Sequence, residues 1–134
     1  MVEDLKPEDY DFMMVSLDDL PEFKVLPEDT EVEVEIENVE PHADKFYAQY
    51  SLRVLGQELV KSIRHPLFFP KPEDDLEKRA NKGTRIKEFY RAFGITQGTV
   101  PADQIGKTAW VILKVESNEQ YGDQNVVKRV IKKS

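Results

Sequence analysis

Lys45, Tyr47, Gln49, Ser51 and Arg53 occupy alternate positions of one segment, and the residues between them, Phe46, Ala48, Tyr50, Leu52 and Val54, are apolar or aromatic. Residues two apart share a face of a strand, so this spacing raises cations and a ring in one row above a buried row. Single-stranded nucleic acid is held by such a combination, cations tracking phosphate and aromatic faces stacking with bases. Lys61 and Arg64 add charge in the following segment; in a regular strand they point to opposite faces, so only one can line the same groove. Further candidates for base or phosphate contact are Phe68 in an apolar connector with Phe69, Trp110 in a later strand, Tyr121 beside Gly122 in a turn, and Lys128 in a basic C-terminal run with Arg129, Lys132 and Lys133. One ring of the Phe68–Phe69 pair is expected to fill core, and Trp110 to pack in the core or at the sheet edge.

Catalysis finds little support. The chain has two histidines, His42 and His65, in separate connections and with no partner motif, and both are expected at the surface or an edge. There is no HExxH, P-loop, GxGxxG or GxSxG pattern. Asp74 and Asp75 suit a helix start, and Asp18 and Asp19 fall in an acidic segment without the converging oxygens that a hard cation needs. No enzyme activity, metal or cofactor is expected. Cysteine is absent, so thiolate zinc sites, disulfides and cysteine nucleophiles are excluded.

The 134 residues suffice for one domain with a modest core, being 40% hydrophobic and 34% charged. A net charge of −7 argues against a polyanionic partner, yet the total is unevenly divided. Residues 1–44 carry 16 acids and two bases, net −14, whereas residues 45–134 carry 17 bases and 10 acids, net +7. That asymmetry suits an acidic arm beside a basic binding surface. No apolar run is long enough to span a bilayer and the first residues are acidic, so no membrane partner and a cytoplasmic location are expected.

Residues 1–29 form the acidic arm, interrupted by Pro7, Pro21 and Pro27, with the apolar cluster Phe12 to Leu17 expected to dock on the domain. The domain covers residues 30–134. Glu31 to Glu37 alternates strictly and predicts a half-buried strand whose outer glutamates face away from nucleic acid or toward the arm. A turn over 40–44, a strand over 45–55, a reversal at Gly56-Gln57 and a strand over 58–65 ended by Pro66 follow. A helical region begins near Pro72, with a break or restart at Gly83-Thr84; Ile86, Phe89, Tyr90 and Phe93 form its core stripe and Gly94 its end. Two strands, 109–116 and 125–131, close the chain around a loop over 117–124. Three strands, a helix and two strands make a mainly β protein with the element order of an OB-fold, a five-stranded, partly open barrel with a helix between strands 3 and 4.

Four segments carry a resemblance: Leu26-Pro27-Glu28-Asp29-Thr30-Glu31-Val32, Ile86-Lys87-Glu88-Phe89-Tyr90-Arg91-Ala92-Phe93-Gly94-Ile95, Ile105-Gly106-Lys107-Thr108-Ala109-Trp110-Val111, and Tyr121-Gly122-Asp123-Gln124-Asn125-Val126-Val127-Lys128-Arg129. Together, over about residues 26–132, they resemble small phage-encoded single-stranded-DNA-binding proteins with an OB-fold. The resemblance implies a non-catalytic protein that coats single-stranded DNA in phage replication or recombination. The acidic arm lies outside that resemblance; the division of charge suggests that it recruits replication or recombination proteins, as acidic segments of single-stranded-DNA-binding proteins commonly do. Self-association is left open. The alternative is a protein-interaction module, a replication-partner adaptor or a DNA mimic that uses the glutamate row, without direct DNA contact.

Overall fold

The computed structural model describes residues 2–131. Five strands, β1 (Glu31–His42), β2 (Tyr47–Val54), β3 (Ile63–Phe68), β4 (Thr108–Asn118) and β5 (Gly122–Ile131), form one antiparallel sheet in the order β3-β2-β1-β4-β5. A short turn of helix, α1 (Pro7–Tyr10), precedes the sheet. The main helix, α2 (Leu76–Phe93), lies between β3 and β4, and α3 (Pro101–Gln104) leads into β4. The ends of the sheet, β3 and β5, come within 8 Å at their Cα atoms but exchange no ladder, so the sheet curls without closing.

The inner rows follow from alternation. Val32, Val34 and Ile36 of β1, Ala48, Tyr50, Leu52 and Val54 of β2, and Ala109, Val111 and Leu113 of β4 are buried together against Phe89 and Phe93 of α2. The turn expected over 40–44 proves shorter and later: β1 runs to His42, and Lys45 sits in the 43–46 turn rather than in β2. The longer strand is possible because a bulge at Glu37 skips one register position, pairing Ile36 with Leu52 but Asn38 with Ser51. The extra residue exchanges the two faces, and Val39 then turns inward against the core.

Pro66 does not end β3. It pairs with Gln49 inside the strand, which begins only at Ile63. An edge strand tolerates proline because one of its sides has no ladder to serve. His65, expected at the surface or an edge, does lie in the edge strand, but it faces inward and stacks on Phe89 with ring centroids 5.5 Å apart. Helix α2 is continuous for 18 residues through Gly83. Thr84 bonds back to the Ala80 carbonyl instead of capping a new helix. The two adjacent aspartates divide the work of starting α2. Asp75 caps it by accepting from Lys78 N–H, and Asp74 accepts from Lys71 N–H and from the Lys82 ammonium. The backbone bond and Lys82 together hold the Asp74 carboxyl below its usual range. Gly94, at φ 69°, ends the helix in the left-handed conformation that a side chain would oppose.

The arm also departs from expectation. Its residues up to Leu20 form α1 and three single 3₁₀ turns, and Phe12, Met13, Met14 and Leu17 remain exposed. Docking is done further along. Leu26 is buried, and the Asn125 side chain accepts from Leu26 N–H at 2.8 Å and donates to Leu26 C=O at 2.9 Å. Lys24 N–H donates to Leu59 C=O, so residues 24–26 bridge the gap between the segment before β3 and β5. Among the described residues no helix is long and apolar enough to cross a membrane.

Candidate nucleic-acid interface

Neighbouring strands bring His42, Tyr47 and Phe68 into one line across β1, β2 and β3, because His42 pairs with Tyr47 and Tyr47 with Phe68. The His42 and Tyr47 rings are stacked at 4.5 Å and 7°, and Tyr47 meets Phe68 at 5.4 Å and 33°. Phe68 is 49% exposed although it belongs to the last position of a strand. Its neighbour Phe69 is partly buried against the core, so one of the two rings does fill core. The outer face of the β1–β2–β3 half therefore carries a row of three rings.

Below that row, Gln49 pairs with Pro66 and Ser51 with Arg64. Arg64 is exposed on the outer face. Lys61 lies before β3, after a turn in which Leu59 takes φ 59°, so the two-face rule for a regular strand does not govern it. Lys61 and Arg64 consequently line the same groove, an open channel of about 820 Å³ that also contains Ser51, Tyr121, Gln124 and Phe23. The Lys61 ammonium sits 5.4 Å from the centre of the Phe23 ring, a cation–π contact. Tyr121 stands at the tip of the β4–β5 hairpin, 67% exposed. That hairpin is longer and its loop shorter than the alternation suggests, with β4 reaching Asn118 and β5 starting at Gly122.

Three candidates take other positions. Arg53 is on the outer face but donates to Glu35 of β1 at 2.7 Å, and that bond raises the guanidinium pKa further. The glutamate row of β1 thus shares a face with β2 instead of facing away. The antiparallel register places Glu35 opposite Arg53, and both belong to outward rows. Glu37, in the bulge, accepts from Ser62. Trp110, half-buried, lies on the far flank between Glu33 of β1 and Ile131 of β5, away from the ring row. Lys128 sits in a second bulge, since Ile112 pairs with Arg129 and Leu113 with Val127, and its ammonium binds Asp29 at 2.7 Å. Lys132 and Lys133 lie outside the described residues.

The interface therefore divides into a ring row (His42, Tyr47, Phe68), a cationic groove (Lys61, Arg64, with Tyr121 at its rim) and a flank where carboxylates hold Arg53 and Lys128. Among the described residues no carboxylate pairs with Lys45, Lys61 or Arg64. His42 and Phe46 were not candidates on sequence. The cue for His42 was its two-residue spacing from Glu40 beyond the bulge, visible only once the bulge is known. No group of three or more His, Cys, Asp or Glu suited to a metal occurs among the described residues. No protein-family model matches the chain, and no curated protein matches it in sequence.

Proposed function

We infer that the chain binds single-stranded DNA, without catalysis, on the outer face of β2 and β3. The observation that carries this reading is the ring row His42–Tyr47–Phe68, half-buried at His42 and Tyr47 and exposed at Phe68, beside Lys61 and Arg64, which no carboxylate among the described residues engages. Rings in a line give successive bases faces to stack on, and stacking tolerates any sequence because every base has a π-face. Lys61 and Arg64 supply phosphate contacts whose strength falls with salt as counterions are released. The finer fold belongs to the same reading. The strand order β3-β2-β1-β4-β5, the helix between β3 and β4 and the approach of β3 to β5 suit an OB-type barrel left partly open. The resemblance noted above would place this activity in phage DNA replication or recombination.

A strand-selectivity titration tests the reading. Labelled oligo-dT is expected to bind well ahead of a duplex of equal length, because paired bases cannot reach the rings. Equal binding of duplex and single strand contradicts it. A second reading, a protein-interaction module without DNA contact, draws on the arm, where Phe12 is 76% exposed among acidic neighbours. In that case neither nucleic acid binds and the arm alone captures a partner.

A further inference from the structure

Directly behind the ring row the sheet, α2 and α3 line a shallow pocket of about 390 Å³ that is widely open to solvent. This is near the low end of the roughly 300–1,000 Å³ typical of small-ligand sites. Its walls are largely aromatic: Phe46, Tyr47, Tyr50, Phe69 and Tyr90 all line it. Two members of the ring row, His42 and Tyr47, belong to the cavity as well, so the row and the cavity form one continuous surface.

Two details distinguish this cavity from a packing gap. Phe46 is held at φ 56°, in the left-handed region that costs a non-glycine residue about 1–2 kcal/mol. Its carbonyl is fixed there by Phe69 N–H at 2.8 Å, and its ring is left 40% exposed at the rim. Strain of this kind persists where surrounding structure enforces it and clusters at ligand clamps. The second detail is Gln104, only 3% exposed, in the cavity wall. Its Oε1 accepts from the Tyr50 hydroxyl at 2.6 Å and its Nε2 donates to the Thr99 carbonyl at 3.0 Å. A primary amide has two N–H donors and two lone pairs, so one donor and one lone pair remain after these bonds.

We propose that this cavity is a nucleobase pocket, taking one base turned out of the strand that lies on the ring row. The inference rests on the single-strand reading and adds a specific receptor to it. Aromatic walls accept the faces of a planar heterocycle, and the remaining donor and acceptor of Gln104 suit its hydrogen-bonding edge. Unpaired bases are recognised in this way, splayed out, stacked on rings and bonded at their edges. The continuity of the pocket with His42 and Tyr47 lets the neighbouring bases stay stacked outside.

The test is a titration of the isotopically labelled full chain with thymidine at millimolar concentration, followed by amide NMR, together with oligo-dT affinity for two variants. Thymidine is expected to shift the amides of Ala48, Thr99 and Gln104. Ala43→Trp, at an exposed turn position on the cavity rim, is expected to abolish those shifts and weaken oligo-dT at least about five-fold, the loss of one stacked base. Phe68→Ala, outside the cavity, is expected to weaken oligo-dT but leave the thymidine shifts intact. If oligo-dT binds and Phe68→Ala weakens it, yet thymidine moves none of the three amides, the pocket is refuted and the single-strand reading stands. If a peptide of residues 8–20 moves those amides and thymidine does not, the cavity is an apolar-peptide site and the proposal fails. If oligo-dT does not bind at all, both the pocket and the reading beneath it fall.

Discussion

The His42 and Tyr47 rings lie parallel across the β1–β2 pair, 4.5 Å between centroids and 7° from coplanar orientation. This contact exists only because β1 carries a bulge at Glu37 that turns His42 outward to the same side as Tyr47. The row extends one strand further to Phe68. Each exposed ring removed should cost about 1–3 kcal/mol of binding, the usual worth of one base–aromatic stack. Phe68→Ala, at a half-exposed position, should do so without changing the thermal midpoint, which differential scanning fluorimetry would check.

The second prediction concerns charge on the β1 flank. Glu35 holds Arg53 by a hydrogen bond at 2.7 Å. Glu35→Gln should release the guanidinium to phosphate and remove a carboxylate from the face. Binding should tighten at low salt, and the slope of log K against log salt should steepen by about 0.7, one further phosphate contact on a single strand. The Glu35→Gln, Arg53→Ala double variant, which removes the pair whole, should change affinity little; a large loss would show that the pair opens on binding.

The arm provides a third. Between Glu3 and Glu22 it carries eight acids and one base, Lys6, and it joins the domain through Phe23–Leu26 at the cationic groove. Deleting residues 1–22 should strengthen binding at low salt by removing a local competing polyanion, with the effect fading as salt screens it. Identical salt curves for the full and shortened chains would remove the arm from the account.

A fourth rests on His65. Burial lowers its pKa to about 4, against about 6.5 in the unfolded chain. A depressed histidine pKa means that the unfolded state binds the proton first, so stability falls as pH drops from about 6.5 towards 4. Between pH 7 and pH 5 the loss should be about 2 kcal/mol from this group, taking about 1.4 kcal/mol per pKa unit. Urea melts of His65→Phe, which keeps a ring against Phe89, should show a pH dependence smaller by that amount. The same pH dependence in both proteins would mean that His65 is not held neutral by burial.

Much of the sheet was legible because one face is buried. The alternation in Glu31–Glu37 and Ala48–Val54 predicts β1 and β2 with the correct inward rows, except that Phe46, expected to start the second of them, sits in the 43–46 turn and stays 40% exposed; the Ile86–Phe93 stripe predicts the helical face that holds Phe89 and Phe93. What strict alternation could not show were its interruptions. The bulges at Glu37 and Lys128 are single extra residues that a hydrophobic pattern does not mark, and each redirects a side chain relevant to binding. Pro66 and Gly83 read as breakers on local propensity, yet an edge position excuses one, and the tertiary packing of α2, together with its Asp75 cap and the Asp74–Lys82 pair, carries the helix through the other. His65 reads as a surface or edge residue because no partner motif accompanies it; the edge position holds, but its inward stacking on Phe89 is a tertiary contact with no local trace. Of the site candidates, Tyr47, Lys61, Arg64, Phe68 and Tyr121 fall on the ring row and the groove. Arg53 and Lys128 are engaged by acids that only the fold brings near them.

The most direct measurement of the central claim is fluorescence anisotropy of labelled oligo-dT over a salt series, run for the full chain and for a Tyr47→Ala, Phe68→Ala double variant. Binding at low salt should weaken linearly with salt on a log–log scale, and the double variant should bind at least about tenfold more weakly with the salt slope unchanged, since rings rather than cations are lost. Oligo-dT that fails to bind at low salt, or that binds the double variant as tightly as the full chain, would contradict that claim.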